Sequence, residues 1–473
     1  MRQIKKIADK IMDVRTTSIL IALLIVRIPY LLAYYPGLMI YDTGSSIAQF
    51  YGFKTHVVAI SNMPDAILSN HHMILFTYLM GGFVKLGDLL GSQNLGFFFY
   101  VLIQVLLSNL IISYGLKSIK YRVNSILYLI VLLLYMFLPV ISLWQLTMSK
   151  DAFFSAFIML YSVMLFRIVD THGEIFKNKK FVGLLLAVTL MCVLSKQQGS
   201  YIVLICAAVL LIVYKKSALF SSIVMALIGV FYLTIFTGII LPNLHVASSS
   251  KQEMMGFMFQ QTAKYVVDYG EDVTPEEKNA INAVLPFDDL AELYDPYMQD
   301  SVKFEYNQES TDEERTEYIK TWFEMFFKHP DSYFSATLLN CSGFFLPGYE
   351  NEYSYWPVYL EHSEILNEHE NFTLINVKPP IIYSGMTVIV ELLGRLPVIS
   401  LLFKSSFYVW AMIVGIVISL IKKRFETLIY ALPAILSICL LFITPDVEFR
   451  YVLPFVYFVP VFYAYIFRKK EQK

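Results

Sequence analysis

The stretch that decides the fold is SILIALLIVRIPYLLA (residues 18–33), which runs directly into YYPGLMIYDTGSSIAQFYGF (residues 34–53). Arg27 is the only charged residue in the first part, and with its flanks this part approaches the roughly 20 apolar residues that a membrane crossing needs. A basic, amphipathic segment precedes it, and no small-residue cleavage site follows it. We therefore interpret it as an uncleaved first membrane helix, which Pro36-Gly37 ends.

The composition of the whole chain points to the same class of protein. Of its 473 residues, 57% are hydrophobic and 16% are charged, whereas a soluble domain has about 45–50% and about 25%. This excludes an ordinary soluble protein, a disordered chain and a coiled coil. A net charge of −1 gives no indication of nucleic-acid binding, and the four cysteines show no metal-ligand spacing.

Ten apolar segments are candidates for membrane helices: 16–35, 95–116, 123–143, 152–169, 181–197, 199–214, 218–241, 398–421, 425–443 and 450–468. The fifth and sixth are joined by SKQQGS, which predicts a tight helical hairpin. With both termini cytoplasmic, the short loops rich in Lys and Arg all fall on the cytoplasmic side, as the positive-inside rule requires. This agreement holds only if residues 71–90 do not cross.

We therefore expect an all-α polytopic membrane protein of the plasma membrane, in three parts. Residues 1–241 form a membrane module whose first outer loop, 36–94, carries short juxtamembrane helices. Residues 242–397 form an extracytoplasmic, mainly helical insertion with 26 of the 38 acidic residues. Its segments 331–347 and 380–395 are too interrupted to span and are expected to lie on or in the outer leaflet. Residues 398–473 form a C-terminal module of three membrane helices.

Polar residues recur where the apolar segments reach the outer side. Asp42 and Gln49 share one face of a predicted amphipathic surface helix, on which Asp42 is either the N-cap or a general base. The adjacent His71 and His72 are either interfacial residues or contacts to a substrate, a phosphate or a metal. A metal site would need further ligands, and the spacing marks none.

Three later motifs place basic residues at the same level. WQLTMSKDAFFSAF contains Lys150 and Asp151, VLSKQQGSY contains Lys196, and TPDVEFRYVLPF contains Arg450. Each has a structural alternative, namely a helix N-terminus, a hairpin tip and a snorkelling arginine. A lysine or an arginine in such a position also suits an anionic lipid headgroup. No nucleotide-binding or hydrolase motif occurs.

This order of motifs resembles the GT-C superfamily of integral-membrane glycosyltransferases. The resemblance rests on Asp42 after the first span, Asp151 at the start of the fourth span, Lys196 at the tip of the hairpin and the Arg450-Tyr451 pair at a late span. The pair His71-His72 departs from it, because many relatives carry a short proline-containing motif there. More narrowly, the stretch from QQTAKYVVDYGEDVTPEEKNAINAVL to FFKHPDSYFSATLLNCSGFFLP is similar to an uncharacterised family of bacterial multi-pass proteins.

The resemblance implies transfer of a sugar from a polyprenyl-phosphate carrier to a cell-envelope glycan or glycolipid on the outer face. Asp42 would deprotonate the acceptor, Asp151 would orient its neighbours, and Lys150, Lys196 and Arg450 would hold the carrier phosphate. The predicted binding set is completed by Tyr451, His71, His72 and Gln49. No cofactor is required by the sequence, and a divalent metal is left open. Two alternatives remain: a transporter or flippase for lipid-linked glycans, and a non-catalytic scaffold for envelope assembly.

Overall fold

Helices make up most of the chain in the computed structural model, which describes residues 2–349 and 355–469. The first part contains α1 (Arg2–Asp13), α2 (Thr16–Ala33), α3 (Tyr41–Phe50), α4 (His56–Ala59), α5 (Ile74–Leu89), α6 (Gln93–Ile119), α7 (Ser125–Phe137), α8 (Pro139–Gln145), α9 (Lys150–Asp170), α10 (Lys179–Ser195), α11 (Gln197–Tyr214), α12 (Leu219–Val230), a π-helix (Phe231–Ile240) and α13 (Leu241–Asn243). The second part contains α14 (Lys251–Tyr269), α15 (Pro275–Asn282), α16 (Leu290–Leu293), α17 (Asp300–Lys303), α18 (Asp312–Lys328), α19 (Pro330–Asn340), α20 (Glu364–Asn367), α21 (Pro380–Arg395), α22 (Ser405–Ile421), α23 (Thr427–Leu440) and α24 (Leu453–Ile466).

Six helices within the described residues are long and apolar enough to cross a membrane. A seventh is added if α7 and α8, which meet at a bend of 49°, form one span. The helices α22 and α23 are apolar but shorter. The protein is therefore an all-α protein of the membrane class, as predicted, while the full set of ten crossings stays a prediction.

Loops rich in basic residues gather at one end of the bundle. Lys120 Nζ donates to the carbonyl of Val14 at 3.0 Å, Arg122 pairs with Asp170, and the backbone N–H of Lys469 donates to the carbonyl of Arg122 at 2.7 Å. The beginning of the first span, the end of α6, the end of α9 and the C-terminal tail thus lie together. We call this end of the bundle the basic end.

The bent span is held by Arg27, which is fully buried in α2. Because Pro139 interrupts the helix, carbonyls before the bend lack their usual helical partners. Arg27 donates to the carbonyls of Tyr135 and Met136, and to the side chains of Ser142 at 3.0 Å and Gln145 at 2.7 Å. The arginine therefore supplies hydrogen-bond donors to the interrupted helix and pairs with no carboxylate of the described residues.

Two very short parallel strand pairs tie the loops together at the end opposite the basic end. β1 (Leu38–Met39) pairs with β3 (Thr147–Met148), and β2 (Leu68–Ser69) pairs with β4 (Val246–Ala247). Because the strands of each pair are parallel, the two segments of the chain leave them in the same direction. The segments that follow β1 and β3 therefore start side by side, and so do those that follow β2 and β4.

The predicted helix after the first span forms, but its environment differs from the prediction. Every residue of Thr43–Gln49 in α3 is buried, so α3 is not an amphipathic surface helix. It packs against α5 in the loop 36–94, and its partners cover both of its faces. Its N-cap is Ile40, which leaves Asp42 in the first turn and excludes Asp42 as the N-cap.

Residues 251–340, which we call the inserted domain, carry a hydrophobic core of their own. Two of its helices begin at capping boxes, which Thr274 forms with Glu277 at α15 and Thr311 forms with Glu314 at α18. Three hydrogen bonds attach the domain to residues 444–445: Gln299 donates from its backbone and its side chain, and Asn340 donates from its side chain.

Candidate functional site

Charged and polar side chains from five segments meet at the end of the bundle opposite the basic end. We call this set the site cluster; its members are Asp42, His72, Lys150, Asp151, Lys196, Glu448, Arg450 and Tyr451. They come from the first turn of α3, the short 3₁₀ helix Asn70–His72, the N-terminus of α9, the junction of α10 and α11, and the turn that leads into α24. Most of the predicted site residues are thus brought together.

Asp42 lies at the centre of one half of the cluster. Its Oδ2 atom is 2.7 Å from Lys150 Nζ, 3.1 Å from Arg450 Nη1 and 3.4 Å from His72 Nδ1. The side chain is only 16% exposed. Burial alone would raise the pKa of this carboxyl, but Arg450, Lys150 and His72 together hold the pKa of Asp42 well below its usual range. Asp42 is therefore a firmly ionised counter-ion.

Asp151 and Lys196 form the other half. Lys196 Nζ lies 2.6 Å from Asp151 Oδ1, and Asp151 is almost fully buried. The ring of Tyr451 joins the halves, because its centroid is 5.0 Å from Lys196 Nζ and 5.1 Å from Arg450 Cζ. Both contacts have the geometry of a cation–π interaction. Three cations therefore surround two buried carboxylates and one aromatic ring.

Local sequence explains how Lys150 and Lys196 are positioned in the cluster. Ser149 caps α9 by accepting a hydrogen bond from the backbone N–H of Asp151 at 3.0 Å, which fixes the start of that helix. Lys196 is the extended residue between α10 and α11, which confirms the predicted hairpin. Gly199 allows the hairpin to close, because a Cβ atom there would lie 2.1 Å from the carbonyl oxygen of Cys192.

The two adjacent histidines point to different partners. His72 faces Asp42 and Lys150, whereas His71 Nδ1 lies 2.9 Å from Ser249 Oγ, in the segment after β4. Burial is the largest cause that lowers the pKa of each imidazole, and Asp42 only partly offsets it at His72. Both rings are therefore neutral at physiological pH. Among the described residues, His72 Nε2 is buried and has no hydrogen-bond partner.

Gln49 does not join the cluster. Its side-chain amide donates to Thr55 Oγ1 at 2.9 Å and accepts from the backbone N–H of Ser69 at 2.9 Å. Both ends of the amide are used inside the fold, in a residue that is 1% exposed. The structure thus gives Gln49 the task of holding β2 against α3, which differs from the predicted contact with substrate or lipid phosphate.

Glu448 belongs to the cluster but was not among the predicted site residues. Its carboxylate pairs with Arg450 Nε, and its side chain is 36% exposed, more than those of Asp42 and Arg450. Burial raises the pKa of Glu448 to about 7, a shift that Arg450 opposes and Asp446 reinforces. The one signal in the sequence was its position two residues before Arg450.

The carboxylates of the cluster contact cations rather than one another. Over residues 2–349 and 355–469, no group of three or more His, Cys, Asp or Glu side chains is arranged to hold a metal ion. What the cluster offers is a buried set of hydrogen-bond donors for an anion, with carboxylates that keep the donors in place.

An apolar groove of about 410 Å³ lies between α10 and the segment formed by α12 and the π-helix. Its walls come from residues 190–194 of α10 and from residues 224–236 of α12 and the π-helix. One wall ends two residues before Lys196. In the opposite wall, the hydroxyl of Tyr232 accepts a hydrogen bond from Asn70 Nδ2 at 3.2 Å, and Asn70 directly precedes His71.

Fold and site together define a helical membrane protein with a largely buried site at one end of its bundle, in which three cations contact three carboxylates. The chain belongs to the family of unknown function DUF6020, whose sequence profile matches residues 13–473. Neither the curated proteins nor the solved structures contain a match.

Proposed function

We propose that this protein is a membrane glycosyltransferase. It transfers a sugar from a polyprenyl-phosphate carrier to a cell-envelope acceptor on the outer face of the plasma membrane. In this proposal the chain crosses the membrane ten times in a GT-C-like arrangement, with both termini and the basic end in the cytoplasm. The site cluster and the inserted domain then lie on the outer side.

One observation carries the proposal: Lys150, Lys196 and Arg450, from three distant segments, meet in one cluster, and an apolar groove lies along α10, the helix that ends one residue before Lys196. Buried cations are costly, and because Glu448, with a pKa of about 7, is only partly ionised near neutral pH, the three cations outnumber the ionised carboxylates, which suits an anionic ligand. The groove suits a long apolar chain attached to that anion. A phosphate on an isoprenoid lipid has both properties.

In the proposed reaction the cations act on the leaving group. As the bond between the sugar and the phosphate breaks, negative charge grows on the phosphate oxygens, and Lys150, Lys196 and Arg450 stabilise it. Asp42 and Asp151 hold these cations in position. Because cations hold its pKa so low, Asp42 is a weaker base than the resemblance implies.

The test is the envelope glycan composition of a deletion strain complemented with wild type, Lys196→Gln or the control Lys177→Gln. Lys177 is exposed and pairs with Glu174 near the basic end, so its substitution leaves the site intact. We expect one sugar to disappear from a surface polymer in the deletion strain and to return with wild type and Lys177→Gln only. Losing one leaving-group donor should cost about 10²–10³ in rate.

A glycan restored in full by Lys196→Gln would contradict the proposal. Accumulation of the lipid-linked sugar on the cytoplasmic side in the deletion strain, together with no sugar transfer by the purified protein, would instead favour a flippase.

A further inference from the structure

Three carboxylates contact the cations of the site cluster, and their surroundings differ. Asp42 contacts two cations and a histidine through one oxygen. Asp151 is 2% exposed, with Lys196 on one oxygen and Ser149 Oγ 3.4 Å from the other. Glu448 pairs with Arg450 alone among the cations of the cluster, and its side chain is the most open of the three.

An acceptor hydroxyl must reach the site from the aqueous side, because the lipid-linked donor enters along the groove. Glu448 lies on that side, in the turn between the bundle and the residues that the inserted domain holds. A base also needs a free lone pair and a proton affinity matched to the working pH. Asp151 is too buried to be reached, and Asp42 is less exposed than Glu448, with a pKa that the cations on its Oδ2 atom hold far too low for this task.

We propose that Glu448, rather than Asp42, is the catalytic residue that removes the proton from the acceptor hydroxyl. This inference rests on the proposed function. In the step, the acceptor oxygen forms a bond to the anomeric carbon of the sugar, and its proton passes to a Glu448 oxygen. The bond between that carbon and the phosphate oxygen breaks, and the electron pair leaves with the polyprenyl phosphate, which the three cations hold.

The charges around Glu448 give the step a pH dependence that can be dissected. Arg450 lowers the pKa of Glu448, while Asp446 in the same turn, Asp42 of α3 and Asp151 of α9 raise it. Transfer should therefore fall as the pH drops through about 7, when Glu448 takes up a proton. Asp446→Asn removes one of the negative charges, so the midpoint of the profile should move to lower pH while the plateau rate is kept.

The experiment uses the full-length protein in proteoliposomes. The donors are a panel of undecaprenyl-phosphate-linked, tritium-labelled hexoses and N-acetylhexosamines, and the acceptor is the envelope fraction of the deletion strain. Binding of undecaprenyl phosphate alone is measured in parallel by thermal shift. We expect Glu448→Gln to lower transfer by about a hundredfold or more. Its lipid binding should stay within about threefold of wild type, because the glutamine keeps the size of the side chain and leaves Lys150, Lys196 and Arg450 in place.

The outcomes separate the two proposals. If wild type transfers sugar and Glu448→Gln keeps more than a tenth of its rate, the role of Glu448 is refuted while the proposed function stands. Equal losses of lipid binding and transfer in Glu448→Gln would show that Glu448 only positions Arg450, which also refutes the role. If wild type transfers none of the sugars, the proposed function fails and the role of Glu448 falls with it.

Discussion

Replacing Asp42 by Asn tests whether this carboxylate is the counter-ion that holds the site cluster together. The change keeps the shape of the side chain and removes a charge 2.7 Å from Lys150 Nζ and 3.1 Å from Arg450 Nη1. Both cations are largely buried, with side chains 10% and 17% exposed. They would then be left with one uncompensated charge between them.

Breaking a buried ion pair costs about 3–5 kcal/mol. Because these side chains are not fully buried, we expect the lower end, about 3 kcal/mol. For a chain of this length each kcal/mol shifts the melting temperature by about 1 °C. Asp42→Asn should therefore melt about 3 °C below wild type. Undecaprenyl phosphate should restore much of this loss, since its phosphate replaces the missing negative charge.

The assay is thermal unfolding of the purified protein in detergent, with the exposed Asp65→Asn as the control. Cations hold the pKa of Asp42 below its unfolded value, so its stabilising contribution is complete above the unfolded pKa of about 4 and is lost only as the pH falls further. Asp42→Asn should thus melt below wild type throughout the range from pH 5 to pH 8. An unchanged melting temperature, or an equal shift in Asp65→Asn, would refute the reasoning.

Three further predictions concern other parts of the fold, each measured by thermal unfolding. Asp151→Asn and Lys196→Gln should each destabilise the protein, while the double variant should be closer to wild type than either, because it buries no unpaired charge; additive losses would contradict this. Arg27→Met should cost about 2 kcal/mol or more, since it leaves buried carbonyls without donors, and a neutral effect would show that these carbonyls find other partners. Gly199→Ala should destabilise the hairpin, whereas Gly183→Ala, where an added Cβ meets open space, should not; equal effects would count against the close contact.

The membrane class and most members of the cluster could be predicted because they depend on local rules. Hydropathy marks the apolar segments. Because successive membrane helices run in opposite directions, the order of the segments assigns Asp42, Lys150, Lys196 and Arg450 to the same side of the membrane. Only the pairing among them needs the fold. Partners 108 positions apart, such as Asp42 and Lys150, leave no trace in local spacing.

Gln49 and Glu448 are two residues whose places in the structure could not be predicted from the sequence. Gln49 lies on the same helical face as Asp42, but α3 is covered on all sides, and no periodicity in ten residues reveals which neighbours will cover it. Glu448 was visible beside Arg450, yet its importance comes from its exposure relative to two other carboxylates. The two-residue strands that position these segments are too short for an alternating pattern to show.

The contacts that stabilise the bundle also determine the geometry of the site. Arg27 holds the bend between α7 and α8, and the chain leaves α8 directly into β3. The register of β3 with β1 places Met148 opposite Met39, so that Lys150 and Asp42 leave the strands side by side. A change at Arg27 should therefore alter the Asp42–Lys150 pair although it touches neither residue. The proposed phosphate site is thus built on a buried polar network in the apolar bundle, and disturbing that network should weaken lipid binding together with stability.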